Sequence, residues 1–192
     1  MSINKNYAVF GLGRYGRAVA KELVDNGAEV IAVDRDSKTV EEFSGDFPIC
    51  KCADVTEQEA IKRLGISNID VVVIAITDSF ETSVMATMLC KEAGVKQVIV
   101  KCSDELHRTI LEKVGADMVV LPEKESGTRL AKNLLTSGFS EMIELSDETA
   151  MVEIDVRDEW VGKTLIELSL RKKYSINVVA IRNGEEITTT VD

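Results

Sequence analysis

Three glycines near the start of the chain have the spacing of a phosphate-binding turn. Gly11, Gly13 and Gly16 form the pattern G-x-G-x-x-G directly after the apolar residues 7–10. In such a turn the first glycine permits a sharp bend from strand to helix, and the second lets a pyrophosphate approach the backbone. The third lets the helix pack closely on the strand. The free N–H groups and the dipole at the start of that helix favour an anion.

An acidic residue follows where a ribose-binding carboxylate is expected. Residues 17–26 have apolar positions at helical spacing, and a second apolar run, residues 30–33, ends at Asp34. The last glycine and the ribose-binding acid are expected to be about 20 residues apart, and Gly16 and Asp34 come close to this. Asp34 suits an adenosine ribose with a free 2′-hydroxyl and disfavours a 2′-phosphate, although Arg35 follows it. Strand, helix, strand and acid in this order predict a nucleotide-binding site.

The elements around this turn predict an α/β fold. Strands are predicted at residues 7–10, 30–33, 48–52, 70–76, 98–100 and 118–121, and helices at 17–26, 56–64, 79–92 and 105–114. Thr56 is predicted to be an N-cap whose capping box is completed by Glu59. Right-handed crossovers give a doubly wound, Rossmann-like parallel sheet of order 321456. Its ligand crevice should lie at the carboxyl ends of the first and fourth strands.

The residues after this sheet have a different character. Residues 123–137 are predicted to form a crossover helix with a stripe containing Leu130, Leu134 and Leu135, ended by Gly138 as C-cap. Strands at 142–145, 151–156, 176–181 and 186–190, a short helix at 165–170 and a hairpin turn at Asn183-Gly184 indicate a small α+β lobe. The predicted domains are therefore residues 1–138 and 139–192.

The composition excludes several classes of protein. The 192 residues carry a net charge of −10, which repels nucleic-acid phosphates, and the densest basic cluster, residues 171–173, is short. The sequence contains no run of 18 apolar residues, so no membrane-spanning helix is predicted. Met1 lies close to the first strand and leaves no room for a signal peptide, so a cytoplasmic location is expected.

The cysteines do not predict a metal site or a disulfide. The side chains of Cys50 and Cys52 are expected on the same face of a strand, but no second cysteine pair and no neighbouring histidine completes a tetrahedral set of metal ligands. The single histidine, His107, lies beside Arg108 on a predicted helix. In a reducing compartment these cysteines are expected to behave as small apolar residues.

Hydride transfer with a nicotinamide cofactor is the first function that such a crevice suggests. A dehydrogenase also needs a substrate domain with an acid–base residue. Residues 139–192 offer scattered carboxylates and neither a histidine nor a Tyr/Lys pair. Nucleotide sensing is therefore favoured, and an NAD-dependent oxidoreductase remains the alternative.

Six short motifs follow one another through the nucleotide-binding region. They are residues 11–16, Val33-Asp34, Ala53-Asp54-Val55-Thr56, Val73-Ile74-Ala75-Ile76, Gly115-Ala116-Asp117 and Pro122-Glu123-Lys124. Together they resemble the regulator-of-potassium-conductance (RCK or KTN) domain, as found in the cytosolic gating subunits of Ktr/Trk-type potassium uptake systems. Residues 160–165 and 178–184 resemble the start of the C-terminal lobe of that family, which usually continues further, so a truncated lobe is expected.

The resemblance implies a nucleotide-sensing regulatory subunit at the inner face of the cell membrane. Such subunits form homodimers that assemble into a ring, expected to be an octamer, beneath a potassium-translocating subunit. Either ATP and ADP or NAD⁺ and NADH would be the ligands, and their exchange would alter the ring and the pore.

The resemblance also assigns roles to individual residues. Phosphates would be held by the loop of Gly11, Leu12, Gly13, Arg14, Tyr15 and Gly16, with Arg14 pairing with a terminal phosphate. Asp34 and Arg35 would hold the ribose end, Asp54 and Val55 would border the adenine, and Ala75, Ile76 and Thr77 would line the crevice. Lys101 would reach a phosphate or the nicotinamide side. Glu123 would bind Mg²⁺ or Ca²⁺ together with its symmetry mate. Arg171 and Asn177 would contact cyclic di-AMP.

Overall fold

Parallel strands alternate with helices through the first part of the chain, as the sequence predicts. The computed structural model describes residues 5–135, 139–146 and 149–189. Contacts between residues divide the chain into two units, Met1–Thr128 and Arg129–Asp192. This division falls within the crossover helix. The boundary predicted after residue 138 and the predicted C-cap Gly138 lie outside the described residues.

The first unit contains one parallel sheet with the strand order β3-β2-β1-β4-β5-β6. This order confirms the predicted Rossmann-like topology. The strands are β1 (Asn6–Phe10), β2 (Glu29–Asp34), β3 (Ile49–Cys52), β4 (Val71–Ile74), β5 (Gln97–Lys101) and β6 (Met118–Val120). The order reverses between β1 and β4, so a crevice opens at the carboxyl ends of these two strands.

Helices cover both faces of the sheet, because its central strands β1 and β4 carry buried apolar side chains on both faces. Alternate residues of β1 and β4 enter two separate hydrophobic clusters: Phe10 and Ile74 belong to one, and Val9 and Val73 to the other. All four residues of β4 are buried. The helices of this unit are α1 (Arg14–Asp25), α2 (Ser37–Phe43), α3 (Gln58–Arg63), α4 (Phe80–Glu92), α5 (Glu105–Val114) and the start of α6 (Pro122–Leu135).

Two helix starts differ from the sequence expectation. The structure adds α2, which the apolar pattern did not reveal because none of its seven residues is buried. The available signal was Asp36, whose side chain caps α2 by accepting a hydrogen bond from the N–H of Lys38 at 3.1 Å. The capping box predicted at Thr56 is wrong. The Thr56 hydroxyl donates to Asp54 Oδ1 at 2.6 Å instead, and Glu57 is the N-cap of α3.

The second unit is built from two antiparallel strand pairs and short helices. Strand β7 (Phe139–Ser146) pairs with β8 (Thr149–Ile154), and β9 (Ile181–Asn183) pairs with β10 (Glu186–Thr188). The helices are α7 (Leu165–Leu168) and α8 (Leu170–Tyr174). The helix predicted over residues 165–170 therefore stops early, because Ser169 adopts a left-handed conformation with φ 48°.

The predicted hairpin near the end of the chain is confirmed, with its turn shifted by one residue. Asn183 pairs with Glu186, so Gly184 and Glu185 form the loop. Gly184 has a φ of 63°, which glycine adopts without a steric penalty. The strand predicted at 176–181 is wrong, since β9 begins only at Ile181. In the described ranges, no helix is both long and apolar enough to cross a membrane.

Candidate nucleotide-binding site

The glycine loop adopts the geometry that its spacing predicts. Gly11 has a φ of 90°, and a Cβ there would lie 3.0 Å from Ile76 Cγ1 and 3.1 Å from the carbonyl oxygen of Ala75. A Cβ on Gly16 would overlap the carbonyl oxygen of Gly11 and approach the Ala75 Cβ at 3.0 Å. Both glycines are therefore required by the close packing of α1 on β1 and on the segment after β4.

Gly13 is placed differently, because it faces open space. It is exposed and extended, with φ −65° and ψ −178°, and a Cβ there would meet no described atom within 4 Å. Its lack of a side chain is therefore not a packing requirement of the fold. It leaves the approach to the first turn of α1 open, as a bound phosphate would need.

The start of α1 offers N–H groups to a ligand. The first turn of any helix has N–H groups without an intrahelical partner. In α2, α4 and α5 a side chain of Asp36, Ser79 or Asp104 accepts one of these hydrogen bonds. Among the described residues, no side chain caps α1, whose N-cap is Gly13, and no acidic residue lies in its first turn. This end of α1 therefore suits an anion.

Asp34 holds the glycine loop in place and keeps capacity for a ligand. Its Oδ2 accepts a hydrogen bond from the N–H of Leu12 at 2.7 Å, and its Oδ1 accepts one from the N–H of Asp36 at 2.9 Å. A carboxylate has about four acceptor positions, so each oxygen retains one. Two remaining positions match the two hydroxyls of a ribose.

A cleft with about 580 Å³ of empty space, partly open to solvent, lies at the carboxyl ends of β1 and β4. Residues at the ends of four strands and in the segments that follow them form its walls. They are Gly11, Gly13, Val33, Asp34, Arg35, Ala53, Asp54, Val55, Ala75, Ile76, Thr77, Asp78 and Thr82. Residues predicted for phosphate, ribose and adenine therefore come together in one place.

Four residues of the cleft lining were not predicted: Val33, Ala53, Asp78 and Thr82. Asp78 and Thr82 belong to the loop and first turn after β4, and the position of that strand at the switch point was the signal that could have found them. Asp54, which was predicted, is oriented by Thr56. Hydrogen bonds from the hydroxyl and N–H of Thr56 hold the pKa of the Asp54 carboxyl below its usual value.

Five of the residues predicted to contact the nucleotide lie outside this lining: Leu12, Arg14, Tyr15, Gly16 and Lys101. Leu12 is buried, and its N–H is already bonded to Asp34. Gly16 is buried behind Gly11. Arg14 is the first residue of α1, where its side chain is exposed and makes no hydrogen bond or ion pair with any described residue. Contact of these residues with a nucleotide stays a prediction.

Lys101 and Glu123, predicted to contact different ligands, form an ion pair with each other. Lys101 Nζ lies 2.8 Å from Glu123 Oε1 and 5.5 Å from the centroid of the Tyr15 ring. The hydrogen bond from Lys101 lowers the pKa of Glu123. Burial, followed by the charges of Glu125 and Glu123, raises the pKa of Tyr15. In the part of the chain that the structure describes, no group of three or more His, Cys, Asp or Glu side chains could hold a metal ion.

The parallel sheet of order 321456, the open glycine loop and the acid at the end of β2 define a Rossmann-like nucleotide-binding domain. The family described as the TrkA-N domain matches residues 7–122. This chain belongs to the TrkA-N (RCK) family, and the resemblance seen in the sequence is confirmed.

Relatives of this chain are potassium uptake proteins. It is 37% identical over 185 residues to the Ktr system potassium uptake protein C of Bacillus subtilis, covering 96% of this chain and 84% of that protein. It is 39% identical over 189 residues to the Ktr system potassium uptake protein A of Vibrio alginolyticus, covering 98% and 86%. Among solved structures, the GsuK channel bound to NAD is similar, with a TM-score of 0.67 at 14% identity over 97% of this chain and 34% of that chain.

Proposed function

We propose that this protein is a nucleotide-sensing regulatory subunit that controls a membrane potassium channel or transporter, and that it is not an enzyme. The observation that carries the proposal is the uncapped start of α1 beside Asp34, in a chain of the TrkA-N family. Relatives covering nearly the whole chain are Ktr potassium uptake proteins. This supports a location in the cytoplasm, at the membrane, through a potassium-translocating partner.

The chemistry of the cleft supports binding rather than catalysis. Its acids are Asp34, Asp54 and Asp78, and the first two already accept hydrogen bonds from the backbone. A general acid or base must be able to exchange a proton with the reacting group. No histidine, cysteine or tyrosine is among the residues of the cleft lining. Steady oxidation of NADH with a small carbonyl substrate would instead favour the alternative, an NAD-dependent oxidoreductase.

The ligand that we propose is an adenine nucleotide, either ATP and ADP or NAD⁺ and NADH. Both pairs carry an adenosine ribose with a free 2′-hydroxyl, which suits the free acceptor positions of Asp34. A similar fold, that of the GsuK channel, is known in complex with NAD. Isothermal titration calorimetry with these four nucleotides tests the proposal, and binding of none of them would contradict it.

Arg14 is proposed to distinguish the nucleotides by their terminal phosphate. A two-state regulator responds only to a difference in affinity between its states, and a coupling of about 1–3 kcal/mol is sufficient. A bidentate guanidinium–phosphate pair provides an interaction of this kind. We expect Arg14→Ala to weaken ATP binding about tenfold more than ADP binding, at about 1.4 kcal/mol per factor of ten. Calorimetry with both ligands measures this, and equal losses for ATP and ADP would argue against the sensor role.

We propose that the protein forms a homodimer through α6 and that dimers assemble into a ring, expected to be an octamer. The side chains of Leu130 and Leu134 lie one turn apart on α6 and are 60% and 76% exposed. Burial of these leucines in a dimer would be favourable by about 25 cal/mol per Å² of apolar surface.

A double substitution on α6 tests this oligomer. Leu130→Glu with Leu134→Glu is expected to reduce the molar mass measured by light scattering, because it places charges in the interface. Thr128→Glu, at another exposed position of α6, is the matched control and should leave the mass unchanged. A wild-type protein that is monomeric at micromolar concentration would contradict the proposal.

Two further ligands are proposed for the assembled protein. One chain alone does not provide a Mg²⁺ or Ca²⁺ site at Glu123, because this carboxylate is paired with Lys101 and a hard cation takes six or more oxygen ligands, or keeps several waters. We therefore propose that a cation would be shared between two copies. Cyclic di-AMP is proposed to contact Arg171, on α8, and Asn177, both of which are exposed.

A further inference from the structure

Two helices begin at the edge of the cleft, and their starts differ in charge. Helix α1 follows Gly13, has no side-chain cap among the described residues and carries no acidic residue in its first turn. Helix α4 is capped by the Ser79 hydroxyl, which accepts a hydrogen bond from the N–H of Thr82 at 3.2 Å, and its first turn contains Glu81. Asp78 directly precedes this cap. The start of α1 therefore suits an anion, whereas the acids at the start of α4 oppose one.

Asp78 differs from the other acids of the cleft lining in having no partner among the described residues. The carboxylates of Asp34 and Asp54 accept hydrogen bonds from backbone N–H groups at 2.7 to 2.9 Å. The side chain of Asp78 is exposed and makes no hydrogen bond or ion pair in the part of the chain that the structure describes. The lining contains one positively charged residue, Arg35, which follows β2 on the other side of the glycine loop. No described residue therefore neutralises the charge of Asp78.

The strand order determines which part of a bound nucleotide meets Asp78. Asp34 ends β2, the glycine loop follows β1, and Asp78 follows β4, the next strand of the sheet. Neighbouring strands lie about 4.8 Å apart, so Asp34 and Asp78 are separated by roughly 10 Å across the carboxyl edge of the sheet. With the adenosine ribose at Asp34 and the first two phosphates at the open start of α1, the remainder of the ligand lies toward Asp78. In ATP this part is the third phosphate, which ADP lacks, and in NAD⁺ and NADH it is the nicotinamide half.

We propose that Asp78 selects nucleotides by the charge of the part beyond the first two phosphates, disfavouring ATP relative to ADP and NADH relative to NAD⁺. This inference rests on the proposed nucleotide site. The third phosphate of ATP brings negative charge close to a carboxylate, which raises the free energy of the complex. The nicotinamide ring of NAD⁺ is a cation and that of NADH is neutral, so the same carboxylate favours the oxidised form. Asp78 thus opposes the effect proposed for Arg14, and the preference of the wild type for ATP or ADP is the balance of the two.

Substitution of Asp78 tests this selection through ratios of affinities. The dissociation constants of ATP, ADP, NAD⁺ and NADH are measured by calorimetry for the wild type, Asp78→Asn and Asp78→Glu, in EDTA so that no divalent cation neutralises the phosphates. We expect Asp78→Asn to tighten ATP about fivefold relative to ADP and to weaken NAD⁺ about fivefold relative to NADH, as loss of one unit charge from a partly solvated cleft would. Asp78→Glu keeps the charge and should retain the preferences of the wild type.

A matched variant separates the local charge of Asp78 from the overall charge. Glu112→Gln removes one negative charge from an exposed position of α5 outside the cleft lining and should leave both ratios unchanged. Because the Asp78 side chain has no hydrogen-bond partner among the described residues, Asp78→Asn should melt at the wild-type temperature, which circular dichroism checks.

Each pair of nucleotides that binds to the wild type gives a decisive ratio, and one pair is sufficient. A ratio that Asp78→Asn leaves unchanged, or shifts in the opposite direction, would overturn the inference while the proposed function stands. Failure of the wild type to bind any of the four nucleotides would overturn both.

Discussion

A Gly16→Ala variant is expected to lose about 3 kcal/mol of unfolding free energy, at the upper end of the usual cost of overpacking. The added methyl group would overlap the carbonyl oxygen of Gly11, which belongs to the backbone and cannot move to another rotamer. For a chain of this size the melting temperature should fall by about 10 °C, which thermal denaturation followed by circular dichroism measures.

Gly13→Ala is the matched control for this variant. The added methyl group meets no described atom within 4 Å and the backbone of Gly13 is already extended, so only the lower preference of alanine for an N-cap remains, and stability should fall by less than about 1 kcal/mol. The methyl group would nevertheless stand in the path of a phosphate, so nucleotide binding should weaken. A Gly16→Ala variant with the melting temperature of the wild type would contradict the close packing of α1 against the backbone of Gly11.

Asp34→Ala is expected to weaken nucleotide binding about 100-fold. Two hydrogen bonds between the ribose and the Asp34 carboxylate would be lost. Hydrogen bonds to charged groups contribute about 1.5–3 kcal/mol each, so a 100-fold loss is near the lower end of the expected range. The N–H groups of Leu12 and Asp36 would also lose their acceptor, so the glycine loop would become less well ordered. Calorimetry measures the affinity, and thermal denaturation measures the accompanying loss of stability.

A change in the ligand separates these two effects of Asp34. The wild type should bind 2′-deoxy-ATP more weakly than ATP, because one ribose hydroxyl is missing. Asp34→Ala should bind both compounds equally, since its carboxylate is gone, while Asp34→Asn retains one acceptor oxygen and should show an intermediate preference. Equal binding of the two compounds by the wild type would exclude the ribose role of Asp34.

The fold was predictable from the sequence where burial dictates the pattern. Strand β4 is a continuous run of β-branched residues because both of its faces are covered, and Gly11 and Gly16 are fixed by backbone contacts. Helix α2 was not predictable in this way, since its residues are only partly covered. The Thr56 hydroxyl could either cap a helix or bond to the Asp54 carboxylate, and the sequence pattern is compatible with both. The structure has the bond to Asp54, which depends on the local backbone conformation.

The residues of the site that lie directly at the ends of strands were predictable from the sequence. The end of β2 places Asp34, and the segment after β4 places Ala75 and Ile76, so topology alone brings them together. The pairing of Lys101 with Glu123 was not predictable, because it joins residues on two elements through flexible side chains. Each of these residues had instead been assigned to a separate ligand by resemblance.

The anchoring of the glycine loop by Asp34 has a consequence for kinetics. The bonds of Asp34 to Leu12 and Asp36 are present without any ligand, so the loop need not become ordered when a molecule arrives. Association then does not depend on a rare conformation of the loop. The association rate constants of related nucleotides should therefore be similar. Selectivity among them should appear in residence times, as it does for related complexes in general.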